Sequence, residues 1–225
     1  MKKIFAIALC VAMLAIVLVS GTMAYFTDTQ EKTNTFTMGK VDIELTEPSY
    51  VPSDDGKLKV FPGQTYPKDP TITVASDSEN CYLVATVTIS QRSNLHKLYA
   101  NDTTGVKQDW GLSLAGKGGL VSGGIAAYTA VGTEENGTFG TLLGEKVFLT
   151  YAEDSVADTI TYTFYFKDIH KAGDKEVLFT DVAIPTIIDN GDLDGDLNIT
   201  VNAYAIQAVG FSNVYEAYAA YTAQE

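Results

Sequence analysis

The stretch Thr159–Lys167, TITYTFYFK, places Ile160, Tyr162, Phe164 and Phe166 on one face of an extended chain and the threonines on the other. A second run from Asn198, NITVNAYAIQA, does the same with Ile199, Val201, Ala203, Ala205 and Gln207. Both read as central strands of a sandwich. Nearer the start, Val41, Ile43 and Leu45 alternate with Lys40, Asp42 and Glu44, so one face is core and the other is wet. Period-two patterning of this kind predicts strands at 25–31, 36–46, 71–76, 81–91, 125–131, 145–151, 158–167, 176–184 and 197–208. The fold class expected is an all-β antiparallel sandwich.

Breaker residues divide these runs. Pro62-Gly63, Pro67 and Pro70 predict a loop before Thr71, and 101–124 is a Gly-rich connector with a weak strand signal around Leu112. Asn136-Gly137 is a tight-turn pair, although the distance between the flanking predicted strands calls for a longer hairpin loop. Ser93–Ala100 has room for two helical turns. A short C-terminal helix is predicted from Asn213, with Glu216 three residues later and a packing stripe of Val214, Tyr218 and Tyr221.

The N-terminus has the three parts of a secretion signal: Lys2 and Lys3, an apolar run from Ile4 to Val19, and short residues at Ser20, Gly21, Thr22 and Ala24. Sixteen helical residues at about 1.5 Å each reach roughly 24 Å, short of a hydrocarbon core of about 30 Å. Cleavage after Ala24 is therefore expected, with Thr22 two residues before the cut and Tyr25 as the new first residue. The predicted organisation is 1–24 signal peptide, 25–35 N-terminal strand and linker, and 36–225 β-sandwich domain. Before cleavage the membrane is met only through the signal, and the mature product is expected outside the cell.

Removing residues 1–24 leaves 201 of the 225, and losing two lysines moves the formal charge from -13 to -15. That charge argues against nucleic acid and anionic lipid as partners, and it makes neighbouring copies repel at low salt. With Cys10 in the signal, Cys81 is alone in the mature chain, so no internal disulfide forms; alternation in CYLVATVTI points its thiol inward.

Motifs that carry chemistry are sparse. His96 and His170 do not have the helical two-His spacing of zinc hydrolases, and no nucleophile elbow, phosphate loop or dinucleotide fingerprint is present. The expectation from residues alone is a protein that is not an enzyme. One loop, DNGDLDGDLNIT from Asp189, supplies oxygens at Asn190, Asp192, Asp194 and Asp196 with Gly195 at the turn. The twelfth position from Asn190 is Val201, so the closing bidentate glutamate of an EF-hand is missing. Two readings stay open, an acidic solvated hairpin and a weak extracellular-type calcium site; no other cofactor is expected.

The stretch Gly21–Leu45 reads Gly21-Thr22-x-Ala24-x-Phe26-x-Asp28, then Asn34-x-Phe36-x-x-Gly39-x-Val41-Asp42-Ile43-x-Leu45. It resembles the signal and proximal mature region of the TasA/camelysin family of Gram-positive bacteria, whose members are processed by a SipW-type signal peptidase. Pro62-Gly63, Lys68-Asp69-Pro70, Cys81–Ala85, Ala203–Ala208 and Gly210-Phe211 add weaker likenesses, and 95–150 adds hardly any. The resemblance implies a jelly-roll-like sandwich at the cell surface or in the extracellular matrix. It further implies polymerisation into biofilm fibres, a head-to-tail filament of copies of itself, with the strand Tyr25, Phe26, Thr27, Asp28, Thr29, Gln30, Glu31 donated to the next subunit. A monomeric surface-binding module of the same fold, and a camelysin-like envelope metalloprotease, are the competing classes.

Overall fold

The computed structural model describes residues 39–52, 58–100, 120–128, 130–135, 138–186, 188, 191–193 and 195–224. Within them lie β1 (Ile43–Thr46), β2 (Thr65–Pro67), β3 (Thr71–Val74), β4 (Cys81–Ser90), α1 (Arg92–Ala100) and β5 (Val121–Ser122). A short 3-10 turn over Gly124–Ala127 leads to β6 (Ala130–Glu135), β7 (Thr138–Leu143), β8 (Val147–Asp154), β9 (Thr159–Phe166), β10 (Lys175–Val177), β11 (Asp181–Ala183), β12 (Ile199–Gln207) and α2 (Val214–Thr222). All pairings are antiparallel, in sheets of order β1-β3-β10, β2-β11-β5 and β12-β4-β9-β8-β7-β6.

The two three-stranded sheets share one core with the inner face of the six-stranded sheet. Ile160, Tyr162, Phe164 and Phe166 of β9 are all buried there, as their alternation requires, together with Leu83, Ala85, Val87 and Ile89 of β4. Ile72 and Val74 enter from β3, Val121 from β5 and Val182 from β11. Cys81 is fully buried in this core, and burial, assisted by the negative charge of Asp174, pushes its thiol up to about 11.

β4 is buried on both faces because α2 packs on its outside: Tyr82, Val84, Val214 and Ala217 form a second cluster with Tyr165, Tyr204, Tyr215 and Tyr218 around it. Asn213 caps α2 by accepting from the Glu216 amide at 2.9 Å, and the Glu216 carboxylate accepts from the Ser212 amide at 2.9 Å. Those reciprocal bonds satisfy two donors at the helix entry.

Several sequence expectations are corrected. β12 is an edge strand of the described sheet, pairing with β4 alone, so Ile199, Val201, Ala203 and Ala205 are half-buried. The predicted strand at 176–184 is two strands in different sheets, β10 against β3 and β11 between β2 and β5. The predicted strand at 125–131 is the 3-10 turn followed by β6, and β6 and β7 form a tight hairpin, Glu135 opposite Thr138, in place of a longer loop. β1 begins at Ile43, where 36 was predicted, and β2 lies inside the Pro-bounded segment read as loop.

Gly124 turns the chain between β5 and the core at φ +53, and a Cβ there would meet the Val177 carbonyl oxygen at 2.6 Å and the Phe179 Cα at 3.0 Å. Only a glycine passes that point without displacing β10.

Candidate functional site

Short strand β2 is held by a set of polar contacts that also shape a pocket. The Gly63 amide donates to the Ile184 carbonyl at 2.8 Å, and the Ile184 amide returns a bond to Gln64 at 2.9 Å. The Tyr66 hydroxyl accepts from the Phe61 amide at 2.8 Å. Ser49 donates its amide and hydroxyl to the two carboxylate oxygens of Asp69, at 2.7 and 2.8 Å. Lys68 pairs with Glu47 and lies 4.6 Å from the centre of the Tyr50 ring.

These contacts border a pocket of about 360 Å³ whose apolar walls include Leu58, Val60, Tyr66, Ile184, Leu197 and Ile199, with Lys68, Asp196 and Asn198 as polar groups. It lies against β2 and the start of β12. Among the described residues β2 pairs only with β11 and β12 only with β4, so each has one side without a strand partner. An apolar trough next to unpaired strand edges can take an extended chain, with backbone bonds to an edge and side chains in the trough.

The cleavage residues Thr22, Ala24 and Tyr25 and the donor strand Tyr25–Glu31 lie outside the described residues, as do Asn190 and Asp194 of the acidic loop. Asp192 is half-buried and Asp196 is exposed at the pocket rim. The Asp196 carbonyl accepts from Gln91 Nε2 at 3.2 Å and Asn198 Nδ2 at 3.4 Å, bonds that tie the loop to β4 and β12. The pocket itself escapes sequence reading, because its walls come from residues as distant as 50, 66, 184 and 199.

Neither histidine lines that pocket. His96 Nε2 is 3.3 Å from Glu153 Oε1, and Arg92 pairs with the same carboxylate. His170 is buried, its ring edge-on to Phe166; Nε2 is 3.0 Å from Glu176 Oε1, and Nδ1 is buried with no hydrogen-bond partner. Backbone bonds in both directions tie His170 to Cys81.

Residues 1–102 match the family model described as camelysin metallo-endopeptidase. Fold and match together thus define the class as an antiparallel all-β sandwich whose segment 1–102 is similar to the camelysin family. No curated protein and no solved structure matches the chain. The family description overturns the expectation that the protein is not an enzyme, since it names a metallo-endopeptidase.

An endopeptidase of that kind uses a metal ion, and the described residues do not fit one. No three His, Cys, Asp or Glu side chains gather to hold a cation among them. The pair His170–Glu176, a buried imidazole against a half-buried carboxylate, is a two-residue contact, and His96–Glu153 shares its carboxylate with a guanidinium. No catalytic step through a metal is derived from these residues.

Proposed function

We propose that the chain is exported, cut after Ala24, and assembled outside the cell into matrix fibres by donation of Tyr25–Glu31 to the next copy. The observation that carries this reading is the direct abutment of the signal and a Gly- and Pro-free strand that opens on two aromatics. While Ile4–Val19 hold the N-terminus in the membrane, Tyr25 is not available to another subunit. The apolar pocket beside β2 and β12 supports the reading, because it has the chemistry a donated strand needs.

The energies are of matching size. About seven backbone hydrogen bonds at about 0.5–1.5 kcal/mol each, with about 1.5–3 kcal/mol from burying Phe26, stand against an association cost of about 4–15 kcal/mol. Further subunit contacts therefore have to contribute. Each copy gives at one end and receives at the other, so the contact propagates as a filament. Electron microscopy with size-exclusion chromatography tests this on protein beginning at Tyr25 and on a version lacking 25–31. Fibres from the first and folded monomers from the second are expected; monomers from both, across salt and pH, would remove the proposal.

The family description favours a second reading, a camelysin-like envelope metalloprotease. Cleavage of a casein substrate that stops on chelation and returns with added zinc is its test.

A further inference from the structure

The outer face of the six-stranded sheet has a pattern that neither reading above uses. The registers align Thr200, Thr88, Thr161 and Ala152 in one row across β12, β4, β9 and β8, and Asn202, Thr86, Thr163 and Thr150 in the next. Eight neighbouring positions thus carry six hydroxyls, one amide and one methyl, and no charge, on a chain of formal charge -13. Thr200, Asn202 and Ala152 are exposed, Thr88, Thr161, Thr163 and Thr150 half-buried, and Thr86 is 9% exposed. The row beyond, Tyr204, Val84, Tyr165 and Phe148, is where α2 sits, so the field ends at a ridge of tyrosine rings.

The hydroxyls are oriented by one another. Thr88 and Thr161 share a bond at 3.0 Å, Asn202 Nδ2 donates to Thr86 Oγ1 at 3.5 Å, and Thr150 bonds the Tyr165 hydroxyl. A threonine hydroxyl offers one donor and two acceptor positions, so each retains capacity for a ligand. Rigid strands hold the set in place.

Size and charge decide what such a surface takes. Four strands at about 4.8 Å and two rows about 7 Å apart span on the order of 250 Å², far below the roughly 800 Å² per partner of a stable protein interface. A charged polymer finds no counter-charge there. An uncharged chain of sugars fits: its hydroxyls match the threonine and asparagine groups, and the strand spacing is close to the length of one sugar in an extended β-linked glycan. We infer that this face is a docking surface for a neutral, extended polysaccharide.

The test uses the exported protein as recovered from cells expressing the full chain, with suspended cellulose and chitin as neutral probes and alginate as an acidic control. Depletion onto a neutral glycan is expected, unchanged by added salt, with none on alginate. Thr88→Val combined with Thr161→Val keeps shape and strand propensity while removing two hydroxyls, and retention should weaken on the order of tenfold. Thr200→Arg, at the exposed edge, blocks the same row without touching the core, and should do likewise should the double variant lose its fold by circular dichroism. Wild-type protein left in solution by both neutral glycans, retention abolished by salt, or folded variants retained like wild type would each overturn the inference.

Discussion

Gly124→Ala separates two costs that a glycine usually hides together. At φ +53 an alanine occupies a left-handed conformation at about 1–2 kcal/mol, and its Cβ would stand 2.6 Å from the Val177 carbonyl oxygen and 3.0 Å from the Phe179 backbone. Those neighbours are main chain, so relief requires moving β10 and the buried Phe179, at a further cost of about 1–3 kcal/mol for overpacking. Gly173 is the built-in control: its φ is +87 and nothing lies within 4 Å of the Cβ position. Gly173→Ala bears only the conformational cost, at a φ no easier than that of Gly124. Chemical denaturation of both variants should place Gly124→Ala about 1–3 kcal/mol below Gly173→Ala, with an unchanged denaturant slope. Equal losses would show that the backbone approach at Gly124 is not a constraint, and the account of the β5–β10 junction would fall.

Phe164 is fully buried on β9 between Ala85 and Leu149, and its truncation to alanine should cost about 3–5 kcal/mol in the same assay. Asn213→Ala removes the cap of α2 and should cost about 1 kcal/mol, read as a lower unfolding midpoint with the six-stranded sheet retained. Burial holds the Cys81 thiol protonated to about pH 11, whereas an unfolded thiol ionises near 9.0. Its contribution is therefore complete below pH 9 and is lost as pH rises towards 11; a pH series of unfolding midpoints checks the decline, and Cys81→Ala should flatten it. At the acid end, Asp158 accepts from the Ser93 hydroxyl and amide, bonds that lower its pKa. Stability from that contact is present above the ordinary carboxylate range and is lost as pH falls through the lowered value, and Asp158→Asn should reduce this acid sensitivity.

The strands that the sequence reveals are those whose alternation meets a single core. β9 keeps strict period two because one face is core along its length, and α2 is announced by Asn213 and Glu216. The alternation fails between Val177 and Asp181, where neighbouring Leu178 and Phe179 are both fully buried. There the chain passes from one small sheet to the other, and consecutive side chains enter the core from a segment that is not a strand. β2 and β5, of three and two residues, exist because β11 pairs with both, a non-local cause that no local pattern records. Periodicity also reports which face is buried and says nothing of sheet position, which is why β12 reads as central while lying at an edge among the described residues. The same separation of cause from sequence hides the pocket, whereas the threonine field was legible as TVT at 86–88 and TITYT at 159–163 and gained meaning only when the registers aligned them.

The extent of the family match has a structural consequence. Residues 1–102 supply β1 and β3 to one sheet, β2 to another and β4 to the third, but β4 draws both of its neighbours, β9 and β12, from the unmatched part. β10 and β11 likewise come from beyond the match and pair β3 and β2. Apart from β1–β3, the matched segment therefore holds one side only of the pairings its strands make, and it cannot bury β4, whose seven consecutive buried residues need partners at both edges and cover on both faces. The folding unit is wider than the family signature. The scaffold on which that signature stands is completed by strands from beyond residue 102, which also contribute three of the four strands of the uncharged outer face.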